Sequence, residues 1–187
     1  MKPPLARVTI KRVAETDLPR IRSLAERTWR TSYAGLLSAG QIEYMLDWMY
    51  SPERLLQDFR GGVAFDWPVV EGEPVGFMAT RPETGEPTVP GGATGLALLL
   101  HKLYVLPEFQ GKGIGSHLLD HAVQRAAKAG CCCVRLRVNK GNHRAIACYL
   151  RHGFVQEASV VTDIGGGHVM DDHIMVRSVE PSSGPPA

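Results

Sequence analysis

Leu103-Tyr104-Val105-Leu106-Pro107, then Glu108-Phe109, then Gln110-Gly111-Lys112-Gly113-Ile114-Gly115-Ser116 joins an apolar run to a helical pattern through three alternate glycines. Leu96 to Val105 is apolar enough for a central strand and stops before Pro107, which has no N–H to offer a ladder. From Lys112 onward, Ile114, Leu118, Leu119, Ala122, Val123 and Ala126 recur at helical spacing, and Gly130 is placed to stop that helix. The glycines between strand and helix let the backbone turn sharply and point successive N–H groups outward. A helix start adds its own unpaired N–H groups and the positive end of its dipole, so this junction suits a phosphate, with Lys112 at the rim.

Two familiar phosphate motifs do not fit the spacing. The dinucleotide pattern G-x-G-x-x-G fails because the third glycine, Gly115, comes one position early. A P-loop needs glycine where Leu106 stands and Ser or Thr where Gly113 follows the lysine. The plain alternative is an ordinary strand-to-helix turn that happens to be rich in glycine.

Upstream, Val8 to Val13 reads as a strand, and Thr16-Asp17 as a cap before Leu18, Ile21, Leu24 and Ala25, a helix ending near Trp29 to Tyr33. A second amphipathic stretch from Ser38 carries Ile42, Met45, Leu46 and Met49 on one face, and Ser51-Pro52 starts a third helix. Gly61-Gly62 breaks the helical run. Val63 to Val70 and Val75 to Thr80 then read as an antiparallel hairpin, and residues 82 to 95 as a long surface loop. Downstream, Val134, Leu136 and Val138 alternate with Arg135 and Arg137 as a strand with one wetter face. Asn142 can cap a helix through about His152; Gly153 stops it, and strands over Phe154 to Val161 and Val169 to Arg177 flank the turn Gly165-Gly166-Gly167. The order is that of an α/β fold, a mixed sheet with helices on its faces, in one domain over residues 1–179 with a disordered tail over 180–187.

Composition agrees with a globular chain: 187 residues, 44% hydrophobic and 21% charged. The 21 basic and 19 acidic residues are scattered, so nucleic-acid binding has no electrostatic support. No apolar run is long enough for a signal peptide or membrane span, which points to a cytoplasmic protein without a membrane partner. Cys131, Cys132 and Cys133 are consecutive and Cys148 stands alone, spacing that suits small buried thiols in a reducing compartment better than disulfides or a metal site.

Gln110 to Gly115, preceded by Leu103 to Pro107, resembles the acetyl-CoA signature of the GNAT superfamily of N-acetyltransferases. A second signature of that superfamily follows a strand later as Asn142-His143-Arg144-Ala145, then Tyr149, then Gly153-Phe154. The resemblance implies a central mixed, mostly antiparallel sheet flanked by helices, and transfer of acetyl from the co-substrate acetyl-CoA to a primary amine. It implies that the backbone of Gln110, Gly111, Lys112, Gly113, Ile114 and Gly115 and the hydroxyl of Ser116 hold the pyrophosphate. Leu103, Tyr104 and Val105 would line the pantetheine arm along the strand, Asn142 would contact that arm, and Tyr149 would protonate the departing thiolate. A phenol with pKa ~10 suits that role, being largely protonated at neutral pH. A backbone N–H near Val105 would meet the developing oxyanion. Cys148 departs from the pattern, since many members carry an aromatic there.

An acceptor ammonium of pKa ~10.4 leaves about one molecule in a thousand neutral near pH ~7.4, so a base or water chain must assist. His101 has the right intrinsic pKa, though a histidine among leucines is commonly structural. Trp29, Tyr33, Glu43, Asp47 and Trp48 could receive a cationic amine, with polyamine-like or amino-sugar acceptors favoured over a protein N-terminus or lysine. Against this, Glu43 and Asp47 are four apart, as on a solvated helix face. Asp171-Asp172-His173 invites a metal, but neighbours on a strand point to opposite faces and do not converge. A non-catalytic acetyl-CoA-binding module would keep the glycine loop without needing Tyr149. A homodimer is compatible with the sequence, though nothing in it requires one.

Overall fold

The computed structural model describes residues 8–83 and 95–180. Its strands are β1 (Thr9–Arg12), β2 (Ala64–Val70), β3 (Glu73–Pro74), β4 (Gly76–Glu83), β5 (Ala97–Val105), β6 (Cys133–Asn139), β7 (Val155–Gly165) and β8 (His168–Ser178). Its helices are α1 (Leu18–Ser32), α2 (Ala39–Tyr50), α3 (Pro52–Arg60), α4 (Ile114–Lys128) and α5 (His143–Arg151). The strands form one sheet in the order β1-β2-β4-β5-β6-β8-β7, with β3 paired to β2. The β5–β6 ladder is parallel, whereas β1–β2, β2–β3, β6–β8 and β7–β8 are antiparallel, so the sheet is mixed and mostly antiparallel, as expected. The expected tail beyond Glu180, and residues 84–94 of the expected loop, lie outside the described residues. β4 itself runs on to Glu83. Among the described residues, no helix is long and apolar enough to cross a membrane.

The described residues divide into two compact units, 8–79 with 102–118, and 80–83 and 95–101 with 119–180. In the first, α1 buries Ile21, Leu24, Ala25 and Trp29, the periodic stripe visible in the sequence. Asp17 precedes α1 without capping it; its carboxylate instead accepts a 3.4 Å hydrogen bond from the Ala14 N–H across a 3-10 turn. Ser38 and Ser51 do cap α2 and α3, accepting from the N–H groups of Gln41 (3.1 Å) and Arg54 (3.2 Å). Trp29, Tyr33, Tyr50, Phe77 and Tyr104 pack into an aromatic cluster in which Trp29 Nε1 donates to the Tyr50 hydroxyl at 3.0 Å. Burial raises the Tyr50 pKa, with the hydrogen bonds from Trp29 and Tyr104 opposing, so this phenol stays neutral.

One residue of β5 breaks its apolar character. Lys102 is buried, its Nζ 3.2 Å from Asp58 on α3 and 5.5 Å from the centre of the Tyr50 ring. Arg54 holds the other Asp58 oxygen at 2.9 Å. The anion therefore shares two cations, the condition under which a buried pair is tolerated.

In the second unit, Ala97, Cys133 and Val176 form a tight buried cluster where β5, β6 and β8 meet. Arg135 on β6 bridges Glu157 (2.8 Å) and Glu83 (3.5 Å), which explains a basic residue in an otherwise buried strand. The last hairpin is longer than its alternation suggested. Gly165 pairs with His168, leaving a two-residue turn at Gly166 and Gly167 with φ of 62° and 77°. Two consecutive positive φ values define the type I′ turn that matches strand twist, and two glycines adopt it without strain.

Candidate functional site

After β5 the chain makes a 3-10 turn over Pro107–Phe109, in which the Gln110 N–H donates to Pro107 O at 3.1 Å. Gly111 and Gly113 follow with φ of 74° and 82°, values that side-chain-bearing residues rarely adopt. Helix α4 then begins with the His117 N–H donating to Gly113 O at 3.1 Å. Helix geometry leaves the N–H groups of Ile114, Gly115 and Ser116 without intrahelical acceptors. A Cβ added at Gly111, Gly113 or Gly115 would meet nothing within 4 Å beyond its chain neighbours and the helix's own backbone, so the Cβ side of each glycine is open. The loop thus fits a pyrophosphate through backbone N–H groups and the helix dipole. Lys112 is exposed, its Nζ 4.9 Å from the centre of the Phe109 ring. Glu108, the nearby anion, is tied by Arg27 at 2.6 Å.

The end of β5 is fixed in ways the sequence did not announce. Gln110 serves through its side chain as well as its backbone: Nε2 donates to Val105 O at 2.8 Å. On the same peptide unit the Leu106 N–H donates to Val75 O at 2.9 Å. One peptide earlier, Tyr104 O lies so close to Gly76 that a Cβ there would stand 2.3 Å from it. Carbonyl and N–H of a trans peptide point in opposite directions, so the Val105 N–H faces away from Gly76. An isolated glycine within a strand pattern is a sign of close backbone approach, and Gly76 was legible on that basis. The Tyr104 hydroxyl lies 3.3 Å from that of Tyr33. Leu103 is half-buried, as is His101, which stands one residue past the last β5–β6 pair at Leu100 and Leu136.

Asn142 and Tyr149 belong to the second unit. Asn142 caps α5, its Oδ1 accepting from the Ala145 N–H at 3.1 Å, which leaves its Nδ2 as the donor that can reach a ligand. Tyr149 is half-buried with its ring 5.7 Å from that of Phe154, and its carbonyl accepts from the N–H groups of His152 and Phe154. Ring packing and two backbone bonds restrict where its hydroxyl can lie.

The residues considered for the acceptor are differently engaged. Trp29 is a core residue, 1% exposed. Arg30 grips Glu43 through two bonds of 2.9 and 3.1 Å, and Arg22 holds Asp47 at 3.0 Å. The Arg30 hydrogen bond pulls the Glu43 pKa down, so both acids are surface partners of arginines and not waiting anions. Trp48 is exposed and Tyr33 is buried.

Asp171, Asp172 and His173 diverge. Asp171 pairs with Lys140, and His173 Nδ1 lies 3.0 Å from Ser159 Oγ. Asp172 is buried, and its Oδ1 has no hydrogen-bond partner among the described residues. Burial raises its pKa, with Arg137 pulling it down, Asp171 pushing it up, and His173 and Lys140 pulling down. A carboxyl whose pKa is higher folded than unfolded binds more protons in the native state, so its contribution falls as pH rises from the ordinary carboxylate range through the raised value. At neutral pH it costs stability. Burial likewise pushes the Cys133 thiol up to about 12, with Cys132 adding to it, and raises Cys131, so both stay protonated.

Residues 20–154 match the Acetyltransferase (GNAT) family. A spermidine N(1)-acetyltransferase of Thermoplasma acidophilum is 27% identical over 155 residues, which cover 80% of this chain and 89% of that protein. An uncharacterized N-acetyltransferase of Methanocaldococcus jannaschii is 35% identical over 101 residues, 49% of this chain and 38% of that longer protein. Among solved structures, an N-acetyltransferase from Thermoplasma acidophilum in complex with coenzyme A superposes with a TM-score of 0.71 at 25% identity, covering 92% of this chain and 99% of that one. The glycine loop at the start of α4 and these likenesses lead to one conclusion: the chain belongs to the acetyltransferase (GNAT) family and is an N-acetyltransferase that uses acetyl-CoA.

Proposed function

We propose that residues 1–179 act as one domain that acetylates a primary amine on a small cationic molecule of the polyamine or amino-sugar kind. The observation that carries the co-substrate half is the open, Cβ-free front of Gly111, Gly113 and Gly115 at the start of α4. The acceptor half is supported by the similarity to a protein named as a spermidine acetyltransferase, and no longer by Glu43 and Asp47. A cytoplasmic location is supported by its free cysteines, which suit a reducing compartment.

Acetyl-CoA supplies the activated acyl group and a thiolate leaving group. The backbone N–H groups from Gly111 to Ser116 hold the pyrophosphate, the Ser116 hydroxyl assisting, with Lys112 adding charge from outside. Leu103, Tyr104 and Val105 offer an edge for the pantetheine arm, and the Asn142 amide can donate to it. The Val105 N–H, turned away from Gly76, is the donor for negative charge developing on the carbonyl oxygen. Tyr149 gives its phenolic proton to the leaving sulfur.

The discriminating test is Gly115→Ala. Gly115 has an ordinary φ and free space, and alanine is the better helix former by about 1 kcal/mol, so the variant is expected to fold at least as stably as the parent. Its methyl group would stand where the pyrophosphate approaches, and calorimetric titration is expected to show acetyl-CoA affinity reduced roughly tenfold or more. Unchanged affinity would remove the loop assignment. Gly113→Val is less informative, because at φ of 82° it strains the backbone as well.

A further inference from the structure

We infer that Asp172 is the anionic anchor for the cationic nitrogen of the acceptor, an inference that rests on the amine acetyltransferase reading above. In the β6–β8 ladder Asp172 stands directly opposite Asn139, and in the β7–β8 ladder opposite Val160. Directly paired residues share a face of the sheet, so Asp172 emerges beside the end of β6, three residues before Asn142.

Several groups around it are engaged elsewhere. Asn139 Oδ1 accepts from the Gly141 N–H at 2.9 Å, Asn139 O accepts from the Asn142 N–H at 2.9 Å, and the Lys140 N–H donates to Asp171 O at 3.0 Å. The Lys140 ammonium pairs with Asp171. Arg137 lies one row along the same face but is exposed, and the Asp172 Oδ1 is not hydrogen-bonded to it. His173, on the opposite face of β8, is turned to Ser159.

A carboxylate 7% exposed, with an oxygen that receives no donor among the described residues, is a costly arrangement, because its lost hydration is not replaced. A substrate ammonium replaces it with both an N–H donor and the opposite charge. The same property selects against neutral acceptors, which supply a donor without the charge. Specificity for cations thus comes from a single buried anion and not from the acidic surface of α2, whose carboxylates are held by arginines.

The test compares the full-length protein with Asp172→Asn, using spermidine as the acceptor probe, with Asp171→Asn as a control at an exposed, paired carboxylate. Asp172→Asn is expected to raise KM for spermidine roughly 10- to 100-fold, the loss of one charge-assisted hydrogen bond. Acetyl-CoA affinity, read by calorimetry, is expected to be unchanged. The melting temperature near neutral pH is expected to be equal or higher, since the variant removes a buried charge whose Oδ1 meets no donor among the described residues. Asp171→Asn is expected to leave KM unchanged. A lower melting temperature for Asp172→Asn, or an unchanged KM while the parent acetylates spermidine, would overturn the inference and leave the function standing. A parent protein that binds acetyl-CoA yet acetylates no cationic amine would overturn the acceptor class and this anchor together, and the parent's own rate distinguishes that outcome.

Discussion

Replacing Tyr149 by phenylalanine is expected to lower kcat by roughly 10²- to 10⁴-fold, the usual worth of a positioned general acid. The substitution removes one oxygen from a half-buried ring that packs 5.7 Å from Phe154, and it leaves the α5 backbone bonds to His152 and Phe154 intact. Fold stability and coenzyme A affinity should therefore stay near those of the parent. The size of the effect depends on the leaving group: a thiol of pKa ~8.5 departs as thiolate with little help, so the proton matters most where return of the thiolate competes with product release. Stopped-time assays with a slow and a fast acceptor, together with calorimetry, check this. Equal turnover with intact binding would show that another group or water delivers the proton.

Gly76→Ala is expected to have the largest effect on stability, about 3 kcal/mol, the upper part of the range for forcing extra atoms into a packed site. For a chain of this size that is a fall in melting temperature of roughly 6–12 °C. The obstacle is backbone on both sides: the new methyl would stand 2.3 Å from Tyr104 O and 3.0 Å from Val105 Cα, with no flexible side-chain end to move aside. Relief requires β4 and β5 to separate at the Tyr104–Val105 peptide. Because the Val105 N–H lies on that peptide, whatever protein still folds is expected to lose kcat as well. Calorimetric unfolding and steady-state kinetics on the same preparation test both parts. A variant with unchanged melting and full activity would mean that β4 can shift without moving the end of β5.

Much of this was legible along the chain because the deciding signals are short-range. A cap acts within three residues, as at Ser38, Ser51 and Asn142. Helical and strand periodicities repeat within a window of about a dozen residues. The loop from Gln110 to Gly115 needs only its own glycines and the helix that follows. Those features determined the element order, the mixed sheet, and the glycine loop proposed to hold a pyrophosphate.

What tertiary structure alone decided are pairings between residues far apart in the chain. Lys102 meets Asp58 across 44 positions, and this makes an apolar-looking strand carry a buried ion pair. Glu43 and Asp47 could be read as acceptor ligands until Arg30 and Arg22, 13 and 25 positions away, were seen to hold them. Asp172, sharing a motif-like triplet with two neighbours, differs from them in being buried with one oxygen that meets no donor among the described residues, and burial is not written in a tripeptide. Local conformation follows from local sequence because its hydrogen bonds close within a turn. The charge state and availability of a side chain depend on which distant groups the fold brings within about 4 Å, the range over which an ion pair forms.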